Sequence, residues 1–286
     1  AAMCYIFKSM KTNRLLNAGD TIALGTPIFT PYLEMPHLED YDLKIVNIQA
    51  TQENRWQFDD AELDKLLDPK IKAFFLVNPG NPSAVALSAK TIAKIGAIIK
   101  KRPDLILLTD DVYGTFVPGF RSLLGAYPYN TIGVYSYSKY FGCTGWRLGV
   151  IAVHEDNLFD KLIAQHPEPV LKKIDKRYNA LTLEPRKMRF IDRIVADSRD
   201  VALNHTAGLS LPQQVMMLLF SAYELMDTKK HYQKACMGIV KKRVEATLEG
   251  LGLDVPSNEL HDNYYGLIDF EFWASKAYDY AREIAN

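Results

Sequence analysis

Residues 131–149, TIGVYSYSKYFGCTGWRLG, begin as an apolar run and end in a loop punctuated by glycines. The run Thr131–Tyr135 is short and rich in β-branched residues, which is typical of a buried strand. Lys139 follows that strand among aromatic neighbours. A lysine that is partly withdrawn from water there is a nucleophile that condenses with aldehydes, whereas an exposed one would simply extend into solvent.

Four more apolar runs precede this stretch, and amphipathic segments lie between several of them. In Ser88–Lys101 the isoleucines recur at helical spacing, and Ser88 is a plausible N-cap. Alternation of this kind predicts an α/β fold with a mostly parallel sheet sandwiched by helices. The four further strands are predicted over Thr21–Gly25, Ile45–Ala50, Ala73–Asn78 and Leu105–Thr109, and a second helix over Asp59–Leu67.

The rest of the chain departs from this alternation. Residues 166–200 are charged and contain three prolines, which predicts helices in an exposed insertion. We expect a large domain over residues 1–249, which contains this insertion, and an incomplete smaller α+β domain over residues 250–286. The elements predicted after the insertion are helices over Pro212–Met226 and Thr228–Glu249, a last strand over Tyr264–Phe272 and a helix over Ala274–Ala285.

Composition excludes several classes of protein. The chain has 286 residues, 48% of them hydrophobic, with 34 Lys+Arg against 34 Asp+Glu, so disorder as the main state is excluded. Without net positive charge, binding to nucleic acid or to a membrane surface is not expected. The cysteines, Cys4, Cys143 and Cys236, are odd in number and far apart. This argues against a disulfide scaffold or a metal site and favours a reducing, cytoplasmic compartment.

Polar residues follow the predicted strands, where open α/β sheets bind their ligands. Asp110 comes directly after an apolar run, where burying a carboxylate is costly unless it is paired. It is either a helix cap or a fixed charge facing a cationic ligand atom, with Tyr113 as a hydrogen-bond donor beside it. Asn81 lies in Asn78–Pro82, which is either a plain turn or a rigid loop that aims the Asn81 amide at a ligand.

Three further candidates lie on other loops. Ser136 and Arg147 flank the lysine, and together they could grip a phosphate group, for which the arginine fork is well suited. Phe29, after the first strand, is either a core residue or a platform on which a ring stacks.

These motifs, in this order, resemble the fold-type I, aspartate-aminotransferase-like family of pyridoxal 5′-phosphate (PLP) enzymes. Ser-x-Ser-Lys followed by Gly-x-Arg-x-Gly is the most specific element, and Cys143 departs from the usual family pattern. The resemblance implies that residues 1–249 bind PLP and that sites form at the interface of a homodimer or higher homo-oligomer. It further implies that Lys139 holds PLP, Asp110 pairs with the ring nitrogen, Tyr113 and Asn81 bond the ring's 3′ oxygen, Phe29 stacks on the ring, Ser136 and Arg147 bind the phosphate, and Ser210 reaches the neighbouring subunit's phosphate.

Two runs, Asp110–Leu124 and Asn204–Met217, most resemble the branch of this family that decarboxylates aspartate. The resemblance implies conversion of L-aspartate to L-alanine and carbon dioxide, with aspartate transamination as a side activity. Two alternatives stay open: a plain aminotransferase for acidic or aromatic amino acids, and a non-catalytic aminotransferase-like binding domain. The family's phosphate cup and its arginine for the substrate α-carboxylate have no match in this sequence, so we expect a fragment of a longer protein.

Overall fold

A six-stranded sheet forms the centre of the computed structural model, which describes residues 2–38, 41–201 and 208–285. The strand order is β2-β1-β3-β4-β5-β6, and only β6 runs antiparallel to its neighbour among these strands. The strands are β1 (Thr21–Thr26), β2 (Lys44–Gln49), β3 (Ile71–Val77), β4 (Ile106–Asp110), β5 (Thr131–Ser136) and β6 (Gly149–Val153). The five parallel strands confirm the predicted ones to within a few residues at their ends, whereas β6 was not predicted.

Helices cover the sheet on both faces, which confirms the predicted fold class. Ser88 caps α4, because its Oγ accepts a hydrogen bond from the Thr91 amide at 3.1 Å. The helices are α1 (Ala2–Thr12), α2 (Thr30–Glu34), α3 (Asp60–Asp64), α4 (Ala89–Lys101), α5 (Leu123–Ala126), α6 (Tyr137–Tyr140), α7 (Leu158–Ala164), α8 (Glu168–Tyr178), α9 (Phe190–Val201), α10 (Leu211–Met226), α11 (His231–Gly250) and α12 (Phe270–Ala285). No described helix combines the length and the apolar composition that crossing a membrane requires.

Alternation along the strands fills two cores, one on each face of the sheet. In β3, Phe75 packs into the core under α1, α7 and α9, while Phe74 and Leu76 point into the core under α3 and α4. Successive strand residues face opposite sides, so an uninterrupted apolar run serves both cores at once. Burying each such side chain contributes about 1.5–3 kcal/mol, which makes the sheet a rigid support for the loops at its edge.

The segment 166–200 is helical as predicted, but the prediction that it is exposed is wrong for its last helix. Helix α9 packs along α1, and its residues Phe190, Arg193 and Asp197 are buried. Asp197 accepts hydrogen bonds from Ser9 at 2.7 Å and from Tyr178 at 2.8 Å. Some of the charges that suggested exposure are therefore satisfied inside the protein, which a composition count does not detect, whereas most of the others lie at the surface.

The C-terminal prediction is partly wrong. Helices α10 and α11 match their predictions, but residues 264–269 are irregular, and α12 already begins at Phe270. The main-chain pairing of this region is confined to one isolated bridge, between Val85 and His261. An apolar run without a neighbouring strand cannot form a ladder, so it stays irregular. The division into domains at residue 249 stays a prediction.

Candidate active site

The order of the strands reverses at β1, which has β2 on one side and β3 on the other. Such a switch point opens a crevice at the carboxyl ends of the strands. Strands β1 to β5 are parallel, so their carboxyl ends all lie at this edge of the sheet, and the loops that follow them carry the candidate side chains. The candidates that follow them are Phe29 and Tyr32 after β1, Asn81 after β3, Asp110 and Tyr113 at and after β4, and Ser136 and Lys139 at and after β5.

Asp110 is the last residue of β4 and is buried. Its Oδ2 accepts a hydrogen bond from the Tyr32 hydroxyl at 2.7 Å, and its Oδ1 accepts one from the Val112 amide at 3.2 Å. Burial raises the pKa of this carboxyl, because both donors are neutral and compensate only in part for lost water. A cationic ligand atom at this carboxylate would supply the charge that its surroundings lack.

Tyr113 and Asn81 meet at a third residue, Tyr265. The Tyr113 and Tyr265 hydroxyls share a hydrogen bond of 2.5 Å, and the Asn81 Nδ2 donates to the Tyr265 oxygen at 3.5 Å. The two predicted site residues are thus brought together, and their polar groups converge on one aromatic hydroxyl oxygen.

Lys139 lies on α6, a helix of one turn that follows β5 directly. Its Nζ is 5.8 Å from the centroid of the Tyr264 ring, which in turn lies 5.2 Å from the ring of Tyr113. The Tyr264 ring therefore lies near both the Lys139 amine and Tyr113, and we call the space beside these three side chains the recess. Lys139 is half-buried. We call Asn81, Asp110, Tyr113, Lys139 and Tyr265 the sheet-edge cluster.

The predicted phosphate ligands lie around the start of α6. The Ser136 Oγ accepts a hydrogen bond from the Ser138 amide at 3.2 Å and lies 3.3 Å from the Leu148 carbonyl oxygen. Arg147 is exposed, has a left-handed φ of 56° and donates from Nη1 to the Thr144 carbonyl oxygen at 3.0 Å. Its guanidinium is thus held by the loop but open to solvent.

Ser210 caps α10 and is brought to this same loop by a neighbour. Gln213 accepts a hydrogen bond from the Ser210 amide at 2.9 Å and donates to the Trp146 carbonyl oxygen at 2.9 Å. Ser210 and Arg147 are therefore connected through Gln213 and Trp146 within one chain. Whether Ser210 also serves a second subunit stays a prediction.

Phe29 is not a core residue, since 43% of it is exposed. Its ring meets the Tyr32 ring edge-on with the centroids 5.3 Å apart. Of the two alternatives that the sequence left open, the core position is wrong, and the structure provides an exposed ring in contact with Tyr32, the residue that donates to Asp110.

Residues 258–265, the tyrosine segment, lie against the loop that carries Asn81. Main-chain hydrogen bonds join the Ala86 amide to the Leu260 carbonyl and the Asp262 amide to the Ala84 carbonyl. The buried Asp262 accepts a hydrogen bond from the Tyr264 amide at 2.7 Å, but its Oδ2 has no partner among the described residues. Burial raises the pKa of Asp262 to about 7.

The sequence did not single out Tyr32, Tyr264 or Tyr265. Tyr32 lies within the stretch Pro27–Tyr32, and a phenol three residues after Phe29 was a usable signal. The two C-terminal tyrosines were placed in a predicted strand, and only the structure shows that they face residues 81 and 113.

Comparison with known proteins defines the class. The family model for aminotransferases of class I and II matches residues 10–183, and the chain belongs to that family. Among curated proteins, it is 53% identical over 272 residues to the bifunctional aspartate aminotransferase and L-aspartate beta-decarboxylase of a Pseudomonas species. The match covers 95% of this chain and 51% of that protein, so the chain spans about half the length of this relative.

Solved structures agree on the fold. Cystalysin from Treponema denticola, which contains a pyridoxal 5′-phosphate cofactor, matches with a TM-score of 0.61 at 16% identity, over 90% of this chain and 56% of that one. Alanine aminotransferase from Pyrococcus furiosus matches with a TM-score of 0.61 at 22% identity, over 88% of this chain and 55% of that one. At these identities the likeness concerns the fold.

Proposed function

We propose that the whole protein binds PLP at this edge of the sheet and converts L-aspartate to L-alanine and carbon dioxide, with aspartate transamination as a side activity. The observation that carries the proposal is the 53% identity, over 95% of the chain, to a bifunctional aspartate aminotransferase and beta-decarboxylase. We further propose that it works as a homodimer or higher homo-oligomer.

The residues at the sheet edge fit PLP chemically. Asn81 and Tyr113 already bind an aromatic hydroxyl oxygen, that of Tyr265, which is the same kind of group as the 3′ oxygen of the PLP ring. Asp110 offers a buried carboxylate whose present partners are neutral, so a protonated ring nitrogen would offset its cost of burial. Lys139 offers a primary amine in the same recess.

The remaining ligands follow from exposed groups around the recess. Phe29 presents an accessible ring for stacking. For the phosphate, Arg147 presents an exposed guanidinium, and Ser136 presents a hydroxyl that reaches the main chain of the neighbouring Leu148. Ser210, connected to the Arg147 loop through Gln213, would contribute a hydroxyl to a phosphate group. When bound, PLP would supply an electron sink for charge that develops at the substrate α-carbon.

The chain's own residues would then move protons and exclude water. The Lys139 amine is the basic group of the recess and would take and return the proton at the substrate α-carbon. Tyr32 and the Val112 amide would hold the Asp110 carboxylate in one orientation. Ile28, Val77 and Val112, which pack with Tyr113 in one buried cluster, would keep the base of the recess apolar.

The test is a product assay with the whole protein, PLP and L-aspartate labelled with ¹³C at C4. We expect ¹³CO₂ and alanine in equal amounts, and a loss of at least about a hundredfold in rate for Lys139→Ala. Lys90→Ala is the matched control, since Lys90 is an exposed lysine on α4.

A parallel assay adds 2-oxoglutarate as the amino acceptor, because transamination of aspartate without an acceptor stops after one turnover. Oxaloacetate and glutamate without alanine would then favour a plain aminotransferase. No turnover in either assay would favour a binding domain.

A further inference from the structure

The Tyr265 hydroxyl occupies both polar groups that are expected to hold the cofactor's ring oxygen. It lies 2.5 Å from the Tyr113 hydroxyl and 3.5 Å from the Asn81 Nδ2. Either phenol can donate the hydrogen bond between them, and in both cases the Tyr265 oxygen takes the one position that faces the Tyr113 hydroxyl and the Asn81 amide together. One aromatic hydroxyl oxygen can therefore be held at this position at a time.

We propose that Tyr265 is an internal ligand of the cofactor site, and that PLP binds in exchange for it. This inference rests on the proposed function. The ring oxygen of PLP would need the position that the Tyr265 oxygen takes between Asn81 and Tyr113, so each excludes the other. Binding of PLP then requires the tyrosine segment to leave the Asn81 loop.

The contacts of the tyrosine segment are of a kind that can open without unfolding the sheet. Its main-chain bonds to residues 84 and 86 form one isolated bridge rather than a ladder. Tyr264 and Tyr265 are each half-buried, and Asp262 holds an unpartnered buried oxygen that weakens the docked state. Opening such a segment costs less than global unfolding.

The test compares PLP affinity between the whole wild-type protein and Tyr265→Phe, by titration followed through cofactor absorbance. Removing the hydroxyl keeps the ring and frees Asn81 and Tyr113. We expect Tyr265→Phe to bind PLP about tenfold more tightly, the effect of two hydrogen bonds of ordinary net strength. Tyr278→Phe is the control, because Tyr278 is 69% exposed on α12, and it should bind as wild type does.

A second readout does not depend on affinity. Addition of PLP should speed hydrogen exchange at the Ala86 and Asp262 amides, which are protected while the tyrosine segment is docked. Equal affinity of wild type and Tyr265→Phe, or weaker binding by the variant, would overturn the inference and leave the proposed function intact. If no form of the protein forms a reducible PLP adduct at Lys139, both fail together.

Discussion

The molecule contains two polar clusters, both at least partly buried, that use similar residues for different roles. The α1–α9 cluster comprises Ser9, Asn13, Tyr178, Arg193 and Asp197 and joins the start of the chain to α9. Its charges find their partners within the fold. Arg193 donates to the Asn13 side chain at 3.2 Å and to the Pro185 and Met188 carbonyls, and its guanidinium lies 4.9 Å from the centroid of the Tyr178 ring.

The sheet-edge cluster is satisfied in a different way. Asp110 is held by neutral donors, and Asn81 and Tyr113 are held by a tyrosine from a segment with few anchors. A cluster that completes its hydrogen bonds and charges internally holds elements together. A cluster in which a charge has no opposite charge beside it, or in which the donors are hydrogen-bonded to an exchangeable group, is suited to bind a ligand.

The largest effect on stability should come from Asp197→Asn. This change removes the negative charge that pairs with Arg177 at 2.8 Å. The carboxylate accepts hydrogen bonds on both oxygens, from Arg177 on one and from Ser9 and Tyr178 on the other, whereas an amide can accept on one side only. We expect a loss of about 3–5 kcal/mol in the free energy of unfolding, measured by chemical denaturation. Asp192→Asn, on the same helix but in an exposed pair with Arg189, should cost less than about 1 kcal/mol. A small effect at residue 197 would erase the contrast between the clusters.

Asp110→Asn should show the opposite pattern. An asparagine can still accept from the Val112 amide and can donate to the Tyr32 hydroxyl, so the free energy of unfolding should change by less than about 1 kcal/mol. Loss of the charge facing the ring nitrogen should weaken PLP binding by roughly ten- to a hundredfold, as expected for a hydrogen bond between charged groups. Strong destabilisation with unchanged PLP affinity would place Asp110 with the structural cluster.

The substitution Asp262→Asn tests how docking of the tyrosine segment depends on pH. The pKa of Asp262 is raised from 3.8 to about 7 when the segment is docked, so the docked form retains a proton that the open form releases. Docking should therefore weaken as the pH rises from about 4 to about 7 and stay constant above that range. Hydrogen exchange at the Asp262 amide at pH 5 and pH 8 measures this.

In Asp262→Asn the fall in docking with rising pH should disappear. The neighbouring His261 gives an opposing contribution, since burial lowers its pKa and favours docking as the pH rises. Replacing His261 with Asn should thus enlarge the fall rather than remove it. A fall that persists in Asp262→Asn would assign it to another group.

The smallest effect should come from Ser88→Ala at the start of α4, which belongs to neither cluster. Loss of the hydrogen bond to the Thr91 amide should cost about 1 kcal/mol of stability and leave PLP affinity unchanged. Ser88→Asp, which keeps a capping oxygen, should restore most of it. Changed PLP affinity in Ser88→Ala would show that stability and binding are not separable here.

Sequence predicted what depends on local order along the chain. Asp110 and Lys139 were found because each follows an apolar run, and the sheet brings the ends of such runs together. The partners of these residues could not be predicted in the same way. Tyr32 reaches Asp110 across 78 residues and Tyr265 reaches Tyr113 across 152 residues, and neither separation leaves a periodic signal.

Charge gave the least reliable prediction. Asp197 and Arg193 made α9 look exposed, because composition records how many charges a segment has and not whether they are paired. The strand β6 was missed because it depends on a partner strand and not on a pattern in its own residues. Its residues Gly149–Val153 follow the lysine loop directly and become a strand only by pairing antiparallel with β5.

The most direct test of the proposed cofactor site is a mass map of the whole protein after incubation with PLP and reduction with borohydride. We expect a phosphopyridoxyl group on Lys139 in the wild type and in Lys90→Ala, and none on residue 139 in Lys139→Ala. An adduct that forms on other lysines but not on Lys139, or no adduct at all, would contradict it.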